Sequence, residues 1–564
     1  MFAESSSGLK SLMTDSELEV LAAKSTADGE RVDKPPLSAY WSAAAILVFL
    51  SLIIILQVAS GAYGSEFSAY PDEPAHYVTS LMLRDYVAHF HFESPIKFAE
   101  AYYHHYPKVA FGHWPPFFYM VQAFWMLLFS ASRVSVRLEI ACTTAILAYA
   151  VFIEARRWFG SKLGFLAGLL TVCLPLVQTY SDEEMAESLL TLMCFWSTIF
   201  FARYVDSERW RDSVLFGVFF SLAVLTKGSG WLLAIVPPVV IVLTRKWRLM
   251  RQLSFWTPFV LISILCVPWQ LMTMQLVERG WDGGSKPSLS YTLAALIEFL
   301  KLFPQILGPI LLVLMLVGIA VLVVSPSLRG RVPADTSAIF ALLLAVWIFH
   351  SLVPAGVEDR KLVIAAPAMV LFVLGGAVWI ASQIPSKSSL YKWRWMLAGG
   401  LTAISFFAGA FYIPKVQHYG FIEAAHFLTT RPDLGSATIL VSSESGGEGL
   451  LVSEVAMRKP QPSDVIIRGT KSLASMEWNT AHYRSFYSNP AEIVHYLEDE
   501  KVQLIVMDSF APQVHFPHND LLKETIQRCN RFQLLAAFSS RDPKSKGKVY
   551  VYEFKSSKDL PSCN

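Results

Sequence analysis

Long apolar runs recur along this chain from Trp41 to Phe411, each close to the about 20 residues a helix needs to cross a hydrocarbon core of roughly 30 Å. In lipid every backbone polar group must find its partner inside the protein, so such runs predict α-helices. The chain has 564 residues, 54% of them apolar, and a mean hydropathy of +0.42. That is far more than a soluble protein of this size needs to fill its core. A polytopic membrane protein is expected, with residues 1–40 as a disordered cytoplasmic head and 414–564 as a polar tail. The head has no apolar stretch and does not read as a signal peptide.

The first span covers residues 41–63, and the next unbroken long ones begin after Arg137, leaving a loop over 64–137 that is rich in charge and aromatics. Within that loop, residues 116–129 are apolar but too few for a full crossing, which suits an interfacial or re-entrant helix. Cationic clusters at Arg156 and Arg157, Arg209 and Arg211, Arg245 to Arg251, Arg329 and Arg331, and Lys387 to Arg394 separate the later runs into hairpins. If all of them face the cytoplasm, the chain makes about eleven crossings and the tail emerges outside. The outer turns then carry Asp72 and Glu73, the acids from Asp182 to Glu187, Lys227, and Arg360 with Lys361.

The tail changes character. Short β-branched runs at Thr438–Ser442, Leu504–Asp508 and 549–552 alternate with polar helical stretches, so residues 414–564 read as a small extracytoplasmic α/β domain. Gly446, Gly447 and Gly449 follow a predicted strand without dinucleotide-binding spacing and read as a plain turn. Cys142, Cys173, Cys194 and Cys266 lie in apolar runs, whereas Cys529 and Cys563 fall in the tail and are free to pair in an oxidising compartment. A net charge of +2 gives no reason to expect nucleic acid as a partner.

Chemistry concentrates in the outer turns. Asp72 and Glu73 stand between Pro71 and Pro74 at the membrane edge; Asp72 reads either as an N-cap or as a carboxylate presented to a substrate. Lys227, Arg360 and Lys361 go against the positive-inside bias, so they either snorkel to headgroups or are held there by an anion, of which phosphate is the simplest. Glu187 is the acid nearest the apolar run that follows it, and His113, before Trp114, Pro115 and Pro116, opens the short helix. A carboxylate that takes an acceptor's proton and cations that receive a departing phosphate are what transfer of a sugar from a lipid phosphate requires.

Asp72-Glu73, His113-Trp-Pro115-Pro116, Arg156-Arg157-Trp-Phe-Gly160, Leu225-Thr226-Lys227 and Arg360-Lys361 occur in an order and spacing that resembles the C-type integral-membrane glycosyltransferases. Among these the match is to the dolichyl-phosphate-mannose protein mannosyltransferases and the aminoarabinose transferases of lipid A. The resemblance covers roughly residues 41–380. It implies a polyprenyl-phosphate sugar donor, a protein, lipid A or glycan acceptor, and inversion at the anomeric carbon. It implies Asp72 as catalytic base with Glu73 beside it, Lys227 with Arg360 or Lys361 on the donor phosphate, and Glu187 or His113 as a second acid or acceptor contact. The family has Asp where this chain has Glu187, and Arg-Tyr where it has Arg360-Lys361. No metal or other cofactor is required by these residues, although relatives by fold use divalent ions. The expected location is a bacterial inner membrane, with site and tail facing the periplasm, or the endoplasmic reticulum in a eukaryotic host. Two other classes fit the charges: a transporter or flippase of polyprenyl-linked glycan, or a non-catalytic assembly subunit. The first calls for inverted-repeat symmetry, which the sequence does not display.

Overall fold

The structure is a computed structural model; it describes residues 37–68, 70–89, 94–281, 287–411, 418–431, 436–443, 446–459, 462–476, 482–510, 515–542 and 546–556. Most of the predicted head and Cys563 lie outside the described residues. The first helix among the described residues, Ala39–Ser60, starts two residues before the expected boundary. Ser38 caps it, its hydroxyl accepting from the N–H of Trp41, and Gly61 ends it at a φ of 84°.

Among the described residues, seven helices are long and apolar enough to cross a membrane, and an eighth candidate is the pair Ser161–Cys173 and Pro175–Asp182, bent by 56°. Pro175 opens the second half of that pair and cannot donate to the preceding turn, which explains the break. Trp210–Thr226 and Arg394–Ala410 each have 17 residues, and Gly228–Thr244 is apolar but short. The expectation of about eleven crossings is therefore met only if these shorter helices cross as well. The segment Leu289–Arg329 has 41 residues, about 60 Å of helix, and it breaks at Gly308, where φ is 69° between Pro304 and Pro309.

Helix-on-helix packing buries one large apolar core, from Ile140 through Phe220 to Leu374. Its tightest approach joins Leu289–Ile319 to Ala366–Ser382: a Cβ at Gly318 would run into the carbonyl of Phe372, and one at Gly376 into that of Leu314. Small residues at such crossings let two backbones touch, which is how helices gain contact energy in lipid.

The loop over 64–137 is mostly helical, with Glu73–Ala88, Pro95–His105 and Phe117–Leu128. The last is the short apolar helix expected to lie at the interface, and its 12 residues are too few for a crossing. In the tail, Thr438–Ser442, Val465–Arg468 and Leu504–Asp508 form the parallel part of a five-stranded sheet. Lys548–Phe554 and Phe532–Ser539 add antiparallel strands on the Leu504–Asp508 side. All three runs read as strands are strands.

Loop and tail share a core. Phe67, Tyr77, Val78 and Tyr106 pack with Phe421, Ile439, Leu451 and Val506 in a single apolar cluster. Glu66 fastens the two: fully buried, its carboxylate accepts the backbone N–H groups of Tyr419 (2.9 Å), Gly420 (3.0 Å) and Ile422 (3.0 Å), at the start of helix Phe421–Thr430. Those N–H groups have no partner within the helix, so an anion from the loop satisfies them and favours the helix dipole. Arg133 adds an ion pair with the buried Glu454. The glycines read as a turn do make one: Gly446 has a φ of 91° and precedes helix Gly447–Arg458. Gly449 has a further role, since a Cβ there would press on Pro74 and Lys108 of the loop.

Candidate active site

Asp72 occupies the N-cap position of helix Glu73–Ala88. Its carbonyl accepts from the N–H groups of Ala75 and His76, both at 3.0 Å, while Pro74 in the first turn costs the helix no hydrogen bond. Its carboxylate makes no capping bond. It turns instead to Arg360, with Nη1 to Oδ2 at 3.2 Å across 288 positions of sequence. Asp72 thus stands at the N-cap position without capping the helix through its side chain.

Arg360 is held on three sides. Nε lies 2.5 Å from Glu358 Oε2, and the guanidinium carbon stands 4.2 Å from the centre of the Tyr70 ring. Tyr70 also donates its hydroxyl to Glu358 at 2.7 Å, which keeps this plane in place. Tyr180 donates to Asp359 at 2.8 Å and ties the bent helix pair to the same segment. Lys227 forms an ion pair with Glu187. Both cations stand at a junction of an α-helix with a 3-10 turn: Lys227 follows Trp210–Thr226 ahead of the turn Gly228–Ile235, and Arg360 lies in the turn Asp359–Ala365 that leads into Ala366–Ser382. The breaks let a charge stand at a span end instead of inside one.

Burial would raise the Asp72 carboxyl, but His76, Arg360 and Lys227 together hold it below the ordinary carboxylate range. His76 is completely enclosed. It bonds the Tyr119 hydroxyl through Nδ1 at 3.1 Å, lies 4.6 Å from Trp114 between ring centres, and is pushed down to about 4 by burial, so it is neutral at pH 7. His113 is half-buried beside Trp114; burial lowers it, and the Asp72 charge opposes that.

Two expected site residues are committed elsewhere. Glu73 is fully buried; its oxygens accept from the N–H groups of Tyr70 (3.2 Å) and Glu184 (2.7 Å), and Arg137 stands 3.7 Å away. It braces the start of the Asp72 helix and does not share the Asp72 surface, because adjacent residues at a helix start point about 100° apart. Lys361 donates to the carbonyls of Ala355 and Gly356 and so folds the loop ahead of Arg360. Of the two cations in that pair, only Arg360 reaches Asp72.

Sequence reading passed over Tyr70, Glu358 and His76 as members of this cluster, and over Arg137 and Glu66 as its supports. Arg137 is 0% exposed and donates to the carbonyls of Asp182 and Glu66. A charge one turn inside an apolar run was the available signal. Among the described residues, Glu66, His418 and Glu423 are the group able to hold a metal ion by proximity, and they lie at the junction of loop and tail. Glu66 accepts three N–H groups and Glu423 is paired with Arg541, while His418 Nδ1 and Glu423 Oε2 are buried without a hydrogen-bond partner among the described residues.

The acidic turn carries more carboxyls than its cations can balance. Burial, with Glu73 and Glu187 beside it, pushes Glu183 up to about 9, and burial with Glu139 nearby pushes Glu184 up to about 8. The folded protein thus keeps two protons that the unfolded chain releases near the ordinary 4.5. Stability is expected to fall as pH rises from about 4.5, most steeply between about 5.5 and 7 where both carboxyls are protonated only in the fold, and to level off as they ionise towards about 9. Thermal unfolding of the detergent-solubilised chain between those limits checks this. Glu184→Gln, which cannot ionise, should roughly halve the slope between about pH 5.5 and 7; an unchanged slope would show that Glu184 is not protonated in the fold.

No curated protein sequence matches the chain. The family model for dolichyl-phosphate-mannose-protein mannosyltransferase matches residues 113–271. Among solved structures, ArnT from Cupriavidus metallidurans in the apo state is similar, with TM-score 0.56, 14% identity, and coverage of 90% of this chain and 98% of that one. The same protein bound to undecaprenyl phosphate gives TM-score 0.54 and 15% identity over 93% and 100%. The archaeal oligosaccharyltransferase AglB from Archaeoglobus fulgidus, in complex with an inhibitory peptide and a dolichol-phosphate, gives TM-score 0.53 and 12% identity over 93% and 75%. The chain has the fold of the C-type membrane glycosyltransferases, as its motifs led us to expect.

Proposed function

We propose that this chain is an inverting glycosyltransferase that moves a hexosyl or pentosyl group from a polyprenyl-phosphate donor to a hydroxyl or phosphate of a protein, lipid A or glycan acceptor. The observation that carries the reading is the meeting of Asp72 and Arg360 at 3.2 Å at the edge of the membrane helices, with Lys227 close enough to act on the Asp72 carboxylate. A proton acceptor thus stands next to cations suited to a phosphate. The fold adds support, since relatives were solved with undecaprenyl phosphate and with dolichol-phosphate bound.

In this reading the acceptor oxygen attacks the anomeric carbon from the face opposite the phosphate and gives its proton to Asp72. The bond from that carbon to the phosphate oxygen breaks with its electron pair, and the new charge falls to Lys227 and Arg360. Before donor arrives, Glu187 and Asp72 neutralise these two cations. A phosphate that takes Arg360 deprives Asp72 of its counter-charge, which raises its affinity for a proton at the moment a base is needed. Glu73 fixes the helix start, Lys361 fixes the Arg360 loop, and His113 borders the acceptor side. The cations supply the phosphate's counter-charge, so we read the transfer as metal-independent. The site and tail face the periplasm of a bacterial inner membrane.

Lys227→Gln tests the phosphate assignment. A charge-assisted hydrogen bond contributes about 1.5–3 kcal/mol, or roughly 10- to 100-fold in affinity. Binding of undecaprenyl phosphate to the purified protein, followed by tryptophan fluorescence, should weaken by that factor. Equal affinity for the variant would remove Lys227 from the donor site.

A further inference from the structure

The tail is mounted with a definite edge towards Asp72. Its parallel strands run Val465–Arg468, Thr438–Ser442, Leu504–Asp508 across the sheet, so the chain leaves the central strand to one side first and to the other later. In open α/β sheets this reversal opens a crevice at the carboxyl ends of the strands, and ligands bind there. Here that edge lies against the first loop. Helix Gly447–Arg458, which follows the central strand, presses Gly449 on Pro74, two residues from Asp72, and on the side chain of Lys108. Arg468, the last residue of the neighbouring strand, donates from Nη1 to the carbonyl of Pro107 at 3.4 Å.

Three cations meet at this edge. Arg468 is paired with the buried Glu448, Nε to Oε2 at 2.9 Å, and Glu448 also takes the N–H of Thr470 at 2.8 Å. Lys471 is exposed, and its amine is 3.4 Å from the carbonyl of Met476. Lys108 is half-buried; its amine stands 3.4 Å from the carbonyl of Pro71, beside Asp72, and among the described residues no carboxylate lies within ion-pair distance of it. Two carboxylates act on these three cations: Glu448, which is paired with Arg468, and Asp72, which acts on Lys108 from beyond ion-pair distance. Burial, with the charge of Arg468, pulls the Lys108 amine down to about 8 against the opposing charges of Asp72 and Glu448. The neighbouring carboxylates thus do not fully offset the burial of this cation.

We infer that Lys108, Arg468 and Lys471 form a subsite for a phosphate or carboxylate group carried by the acceptor, at the strand ends of the tail and within reach of Asp72. The inference rests on the transferase reading and narrows it: the acceptor bears an anion close to the oxygen it offers. The tail is then part of the substrate site. The subsite is distinct from the donor cations, because Lys227 and Arg360 belong to the membrane helices and pair with Glu187, Asp72 and Glu358.

Inorganic phosphate is the probe, titrated into the full chain in nanodiscs, with undecaprenyl phosphate in a parallel titration. Wild type should bind phosphate with an affinity that falls as salt rises. Lys471→Gln, at an exposed position where folding is not at stake, and Lys108→Gln should each weaken it several-fold; Lys108→Arg should keep most of it. Undecaprenyl phosphate should bind all of these variants as it binds wild type. Phosphate affinity unchanged in both Gln variants would overturn the subsite, and so would an equal loss of undecaprenyl phosphate, which would assign these cations to the donor. An effect in Lys108→Gln alone, matched by Lys108→Arg, would reduce Lys108 to a brace for Pro71 and also overturn it. Phosphate binding needs no turnover, so its result is separable from that of the transferase reading, which Asp72→Asn decides.

Discussion

Replacing Asp72 by Asn is expected to slow sugar transfer by about 10²- to 10⁴-fold, the range for loss of a positioned general base. Asn fills the same volume but cannot take the acceptor's proton. The variant should fold as wild type does, because the Asp72 side chain caps no helix and its pairing with Arg360 is one of several contacts on that guanidinium. Donor binding should be preserved or tightened. Arg360 loses one of its two carboxylate partners, and a phosphate no longer competes with Asp72 for it. Initial rates of sugar incorporation in membranes, read beside undecaprenyl phosphate affinity of the purified variant, separate the two effects. A rate loss accompanied by an equal affinity loss would mean that Asp72 organises the donor site and is not the base.

The second large effect is expected in stability. Arg137→Leu removes a fully buried guanidinium that donates to the carbonyls of Asp182 and Glu66 and faces Glu73. Those acceptors then have neither water nor partner. Breaking a buried pair from one side costs about 3–5 kcal/mol. Glu73 in turn anchors Tyr70 and Glu184, so the first loop, the acidic turn and the beginning of the Asp72 helix should loosen together. Thermal unfolding in detergent checks the size of the loss. Adding Glu73→Gln to Arg137→Leu should recover part of it, because the carboxylate left without its cation is gone; no recovery would show that Arg137 acts through the two carbonyls alone.

Much of this site was legible because of where it lies. A charge at the end of an apolar run is costly to bury, so Asp72, Lys227 and Arg360 stood out from their surroundings. The prolines around Asp72 announced a helix start. The relations among these residues were not legible. Tyr70 and Glu358 are ordinary loop residues until the fold brings them to 2.7 Å across 288 positions. Glu73 and Lys361 looked equivalent to their neighbours, and only side-chain direction set them apart. Glu66 was silent for the same reason: one carboxylate in a polar loop carries no period, yet it meets the first turn of a helix more than 350 positions away. The tail's strands were readable from β-branched runs, whereas its shared core with the loop depended on two surfaces meeting. The breaks at Pro175 and Gly308, where the backbone bends inside apolar sequence, were not marked by the apolar pattern.

The most direct test of the whole account is mass spectrometry of total lipids and envelope glycans from host cells carrying wild-type protein or Asp72→Asn at equal folded levels. The variant cells should lack a sugar-sized mass on one acceptor pool and accumulate the matching polyprenyl-phosphate sugar. Identical glycans and no accumulated donor would contradict the account.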